Sequence, residues 1–229
     1  MTRFISVASG KGGVGKTTTA LNLATALSTL GKKTMLVDAN VTTPNVSLHL
    51  GFHTYSPTLQ HVMNGKSTIA QALYVHPSGL QVMPSSLHAA TTTNFHDGLH
   101  QVFLRLYGKK EFVIVDTAAG LGHEALSAMR ACDEVLVVTN PNILALTDAI
   151  KTIATAKKIG KNFLGVAVNR YANDPPASAI KKIVNKPIIS FIPEDKNIQK
   201  SLLLRHPVVH THPSSKSSKE FFTLAQLLN

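Results

Sequence analysis

The run Gly10-Lys11-Gly12-Gly13-Val14-Gly15-Lys16-Thr17-Thr18 combines the residue types needed to hold a chain of phosphates. Its glycines let successive backbone N–H groups converge on phosphate oxygens with no Cβ in the way, and a helix opening at Lys16 adds its positive N-terminal end. The spacing is G-x-x-x-x-G-K-[ST], in which Lys16 reaches the β- and γ-phosphates and the Thr17 hydroxyl faces Mg²⁺. A second group lies further along the chain, where the apolar segment Phe112-Val113-Ile114-Val115 ends in Asp116. An acid at the carboxyl end of a buried strand beside a phosphate loop suits contact with Mg²⁺ and its waters. The small residues that follow, Thr117-Ala118-Ala119-Gly120, suit a segment that senses the γ-phosphate.

Such a loop needs a strand before it and a helix after it, and the pattern supplies both. Apolar, β-rich runs recur at 4–8, 34–37, 80–83, 112–115, 135–138, 163–168 and 188–192, several without polar alternation. Strands apolar on both faces imply a parallel sheet covered by helices. Residues 17–30 have helical spacing, with Ala20, Leu23, Ala24 and Leu27 on one face and Gly31 as the C-terminal stop. The alternation predicts one doubly wound α/β domain over 1–229, a mainly parallel sheet flanked by helices. Residues 40–100, rich in Thr, His, Ser and Pro, predict one or two helices and a lid-like surface region.

Composition narrows the surroundings. The 229 residues, 44% hydrophobic, carry 23 Lys plus Arg against 12 Asp plus Glu, a net charge of +11. That imbalance invites nonspecific DNA or an anionic membrane surface as a partner. Residues 151–186 hold eight basic side chains against Asp174 alone, a local balance of +7. Between Asp38 and Asp97 the only formal charge is Lys66, among six histidines (His49, His53, His61, His76, His88 and His96). A single cysteine, Cys132, no leader-like start and no apolar run of about 18 residues predict a cytoplasmic protein, at most peripheral to a membrane.

Lys11 is more than a general phosphate loop requires. Lys-Gly-Gly-Val-Gly-Lys-Thr-Thr resembles the deviant Walker A motif of the MinD/ParA family of dimerising P-loop ATPases, most of all the MinD type. The resemblance covers nearly the whole chain: Leu36 to Asn40 and Pro44 to Gly51 (switch I), Asp116 to Gly122 (switch II), Val138-Thr139-Asn140-Pro141, Val168 to Tyr171, Ile192 to Asp195, and a closing helix after Pro213-Ser214-Ser215-Lys216. It implies ATP/ADP and Mg²⁺ as cofactors, with Thr17, Asp38 and Asp116 at the metal. It implies an ATP-dependent homodimer in which Lys11 reaches the partner's nucleotide, and an unidentified activator or cargo protein. Asn169, Arg170, Pro193, Glu194 and Asp195 would frame the adenine. The implied role is nucleotide-controlled spatial regulation, of cell division or positioning.

At switch I the family usually carries two carboxylates one residue apart, whereas this chain has Asp38 and Asn40. An amide orients a water but lacks the charge and basicity of a carboxylate, and general-base help is worth about 10²–10⁴ in rate. Slow hydrolysis is therefore predicted. The alternatives are an ATP-dependent scaffold with little turnover and a ParA-like DNA-binding ATPase. The last segment, with Phe221, Leu224, Ala225 and Leu228 on one helical face, is predicted to pack in the core. A reversible membrane anchor would carry a basic polar face there. His206, His210 and His212 read as a family loop, not a metal site. His123 reads as surface helix, and Cys132 as a small buried hydrophobe.

Overall fold

Strands with apolar side chains on both faces need cover on both sides, and the computed structural model, which describes residues 1–52, 55–86 and 95–229, has that architecture. His53 and His88 lie outside the described residues. β1 (Arg3–Ala8) leads through the glycine-rich loop into α1 (Lys16–Thr29) and β2 (Thr34–Asp38). There follow α2 (Val46–Leu50), α3 (Leu59–Met63), β3 (Tyr74–Val75), β4 (Gln81–Met83), α4 (Phe95–Leu106) and β5 (Phe112–Asp116). Regular alternation then resumes with α5 (His123–Ala131), β6 (Glu134–Thr139), α6 (Ile143–Lys158), β7 (Asn162–Tyr171), α7 (Ala177–Val184) and β8 (Ile188–Pro193). The chain ends in α8 (Lys196–Leu203), α9 (Val208–Thr211) and α10 (Lys216–Leu228).

The strands form one sheet in the order β3-β4-β2-β5-β1-β6-β7-β8, in which β3 alone runs antiparallel to its neighbour. Successive residues of the central strands feed opposite cores. Ile5, Val7, Leu36 and Ile114 pack under α1 and α10, while Met35, Val37, Val113 and Val115 pack under α3, α4 and α5. A third core beneath α6 and α7 gathers Val135, Val137, Val166 and Val168. The chain crosses from β1 to β2 on one side and later passes from β5 over β1 to β6 on the other, so the crevice at the carboxyl ends near β1 is where a ligand binds in an open sheet.

The closing segment is core, as its spacing predicts: Phe221, Leu224 and Ala225 are fully buried, and Ser215 caps α10 by accepting from the Ser218 N–H. Cys132 is likewise buried, and His123 is exposed at the start of α5. Residues 40–100 hold more than the predicted helices. β4 falls on the run expected at 80–83, whereas β3 was not expected, because a two-residue strand leaves no period to read.

Parallel topology also gathers charge. Every connection from a helix into one of the parallel strands returns to the same end of the sheet, opposite the glycine-rich loop. Lys32 and Lys33 precede β2, Lys109 and Lys110 precede β5, Arg130 precedes β6, Lys157, Lys158 and Lys161 precede β7, and Lys186 precedes β8. The acids there are Glu111, Asp133 and Glu134; Glu134 pairs with Arg3 at 2.8 Å and Glu111 with Lys32 at 3.8 Å. Of the basic stretch at 151–186, Lys157, Lys158, Lys161 and Lys186 lie at this end, whereas Arg170, at the carboxyl end of β7, lines both cavities described below.

Candidate functional site

The glycine-rich loop sits where β1 hands over to α1, with Gly13 (φ 77°) and Gly15 (φ 90°) in the left-handed region that favours glycine. Its position is fixed by amides from two other strand ends. Asn169 Nδ2 donates to the Val14 carbonyl at 2.9 Å, and Asn140 Nδ2 donates to the Asn169 carbonyl at 3.0 Å. A Cβ on Gly15 would stand 1.9 Å from Asn169 Nδ2. The loop is thus tied to the end of β7 by Asn169, a residue predicted for the adenine side.

Lys16 and Thr17 open α1 and converge on Asp116 at the end of β5. Lys16 Nζ lies 2.9 Å from Asp116 Oδ1, and Thr17 Oγ1 donates to Oδ2 at 2.6 Å. Asp38 is opposite Asp116 across the β2–β5 pair. Both acids are fully buried. Burial, then the Asp116 charge, push Asp38 above the usual carboxylate range, against the opposing pull of two backbone N–H groups and Lys16. Those N–H groups, from Asn40 (3.1 Å) and Val46 (3.2 Å), each take one Asp38 oxygen. Asp38 therefore anchors switch I, and its carboxylate is spent on the backbone.

Asn40 is also spent. Its Nδ2 donates to the Thr43 carbonyl at 2.5 Å, and its Oδ1 accepts from the Thr43 N–H and hydroxyl at 3.3 and 3.1 Å. The amide expected to orient a water closes a turn in switch I here.

Two adjoining cavities surround these groups. One of about 370 Å³ is lined by Lys11, Gly12, Gly13, Lys16, Thr17, Asn40 and, from outside the predicted set, Thr43, Asn45 and His49. One of about 230 Å³ is lined by Asn169, Arg170, Pro193, Glu194 and Asp195, with Ile198, Gln199 and Leu202 from α8. They share Gly15, Thr18, Arg170 and Leu202. A phosphate chain and a base have room in succession. The Asp195 carboxylate itself is engaged, capping α8 and accepting from Ser217, and its hydrogen bonds hold it below the usual range against its own desolvation.

The donor set fits a magnesium nucleotide. Lys16 and the Thr17 hydroxyl point at one carboxylate from the mouth of a glycine cradle, and Asn169 Oδ1 is a buried acceptor with no hydrogen-bond partner among the described residues. Such an orphan suits a ligand N–H.

Among the described residues no group of three His, Cys, Asp or Glu would hold a metal ion. His212 instead bonds Thr211 and Ser201. His206 and His210 pack with His76, which is buried in the turn between β3 and β4. The Ser78 N–H donates to His76 Nδ1, so His76 carries its proton on Nε2 and donates it to His206 Nδ1 at 2.8 Å. Burial, then His206 and His210, lower His76 from 6.5 to about 4. As pH falls below 6.5 the unfolded chain takes up a proton that the folded chain refuses until about pH 4, so stability falls with pH across that window. The loss is at most about 3 kcal/mol. Urea unfolding of wild type and His76→Gln at pH 7 and pH 4.5 is expected to show a shallower pH slope in the variant.

Residues 1–229 match the family described as "ParA: NUBPL iron-transfer P-loop NTPase". The chain is 35% identical over 228 residues to the "Uncharacterized ATP-binding protein MJ0547" of Methanocaldococcus jannaschii, spanning 98% of this chain and 86% of that protein. The cell division ATPase MinD of Pyrococcus furiosus superposes with a TM-score of 0.90 at 36% identity, covering 100% of this chain and 98% of that one. The septum site-determining protein MinD of Pyrococcus horikoshii, solved in complex with Mg-ADP, also gives 0.90 at 36%, covering 100% and 96%.

Proposed function

Because this chain belongs to the ParA family of P-loop NTPases, we propose that it is a MinD-like ATPase: it binds ATP with Mg²⁺, closes into an ATP-sandwich homodimer, hydrolyses ATP slowly to ADP and phosphate, and regulates positioning or cell division. The observation that carries this reading is the convergence of Lys16 and Thr17 on Asp116 at the mouth of the glycine cradle.

Lys16 holds the phosphate charge, the loop N–H groups orient it, and Thr17 with Asp116 would hold Mg²⁺. Bound there, Mg²⁺ would neutralise charge on the β- and γ-phosphates. Lys11, exposed at the larger cavity, is free to reach a second copy. Asn40 bonded within switch I supports slow turnover. Asn40→Asp is expected to raise single-turnover hydrolysis; no rise would favour the second reading, an ATP-dependent scaffold. The iron transfer in the family's description finds no support here, since the chain's one cysteine, Cys132, is buried and burial pushes its thiol up.

Size-exclusion chromatography with light scattering tests the dimer. A monomer with ADP and a dimer with a slowly hydrolysed ATP analogue are expected, with Lys11→Ala binding nucleotide but staying monomeric. A wild-type monomer with the analogue would sink the mechanism. Among the described residues no helix is long and apolar enough to cross a membrane. The basic end supports a peripheral encounter of a cytoplasmic protein with an anionic membrane or with DNA, besides an activator or cargo protein. Retention that falls with added salt is the expected signature.

A further inference from the structure

We propose that Glu124 is the positioning residue through which the segment after β5 sets switch I against the nucleotide, a role that rests on the ATPase reading above. Glu124 is the second residue of α5, which begins where switch II ends. Its Oε1 accepts from the backbone N–H groups of Val41 and Thr42, the latter at 3.2 Å, and its Oε2 accepts from the Thr42 hydroxyl at 2.6 Å. Val41 and Thr42 stand between Asn40 and Thr43, and both of those line the larger cavity.

Switch I is therefore strapped from two sides. Asp38, at the end of β2, holds the N–H groups of Asn40 and Val46; Glu124, from α5, holds the stretch between them. The carboxylate absent from position 40 is present one residue away, supplied across the site by another element. Glu124 does not line either nucleotide cavity, so it acts through the loop and not on the phosphates. A carboxylate in the first turn of α5 is also favoured by the positive end of that helix. The two segments that sense the γ-phosphate then move as one body: displacement of 116–122 pulls α5, and Glu124 carries the pull to Val41 and Thr42. A ligand that shifts one segment necessarily biases the other.

Glu124→Gln keeps the shape but replaces one acceptor oxygen by a donor facing other donors. Steady-state phosphate release is expected to show kcat lower by about tenfold with KM within about twofold, the mark of an interaction used beyond ground-state binding. Amide hydrogen exchange at Val41 and Thr42 in the Mg-ADP-loaded protein should accelerate by a similar factor. Glu124→Asp, which retains the carboxylate on a shorter stem, should recover part of both. Thr42→Val, which leaves α5 untouched, should lower kcat in the same direction by less. Unchanged kcat and exchange in Glu124→Gln would overturn the proposal, as would a KM that rises in step with the fall in kcat. Wild-type protein that binds ATP but releases no phosphate would instead defeat the ATPase reading. In that case exchange at Val41 and Thr42 alone decides the strap, acceleration supporting it and no change overturning it.

Discussion

Lys16→Ala is expected to abolish measurable nucleotide binding and to cost the nucleotide-free protein about 3 kcal/mol. The two effects have separate causes. Charge-assisted contacts to phosphate contribute about 1.5–3 kcal/mol each, so losing a lysine that, on the proposed reading, serves two phosphates should weaken binding by at least about a hundredfold. Stability falls because Lys16 is the cation paired with Asp116, at 2.9 Å, and Asp116 is fully buried. Breaking a buried pair from one side typically costs about 3–5 kcal/mol. The lower end applies here, because Thr17 still donates to the orphaned carboxylate. Asp38 adds to the strain, since Lys16 is one of the groups drawing its proton affinity down. Calorimetric titration with ATP and Mg²⁺, beside urea unfolding without nucleotide, reads both terms. A dissociation constant close to wild type would remove Lys16 from the phosphate site.

Gly10→Ala is expected to be nearly as damaging although it removes no chemical group. A Cβ on Gly10 would stand 2.6 Å from the carbonyl oxygen and 2.8 Å from the carbonyl carbon of Asp148. Those are backbone atoms of α6, so neither can swing aside. The loop or the helix must retreat, and overpacking of this kind costs about 1–3 kcal/mol. To the extent that the loop is the side that yields, nucleotide affinity should fall as well, by about tenfold or more. Gly12→Ala is the internal control: its Cβ meets only the Ala119 methyl at 4.0 Å, so unfolding should be unchanged. Any loss of ATP affinity in that variant measures how closely the ligand approaches the backbone. Gly10→Ala protein as stable as wild type would mean that the seam between loop and α6 yields more than its geometry implies.

The contrast explains what was legible in the sequence. Gly10 to Thr18 is one contiguous motif, and a loop that must present successive N–H groups leaves its record in consecutive residues. Strands buried on both faces are also written continuously, which is why β1, β2, β5 and β6 lie within a residue or two of their predicted bounds. Glu124 escaped notice because its partners, Val41 and Thr42, contribute backbone N–H groups that no residue type marks. His76 meets His206 across 130 positions, and nothing local in either segment foretells the pairing. The Asn40 side chain was assigned to water from its residue type alone. Its actual acceptor and donors on Thr43 depend on a turn that becomes visible only when switch I is folded. β3, at two residues, is shorter than any alternation can report.

The basic side chains gathered at one end of the parallel sheet would give the molecule an electric dipole once the far end carries a nucleotide's phosphates. Lys33, Lys110, Arg130, Lys158 and Lys161 mark its positive pole, and bound nucleotide adds negative charge at the far end, lengthening the moment. A body built this way would be turned by a field before contact: near an anionic surface it would arrive basic end first, with its phosphate loop and switch segments facing away. Orientation would then precede contact, and the face offered to a second copy would already be pointing outward.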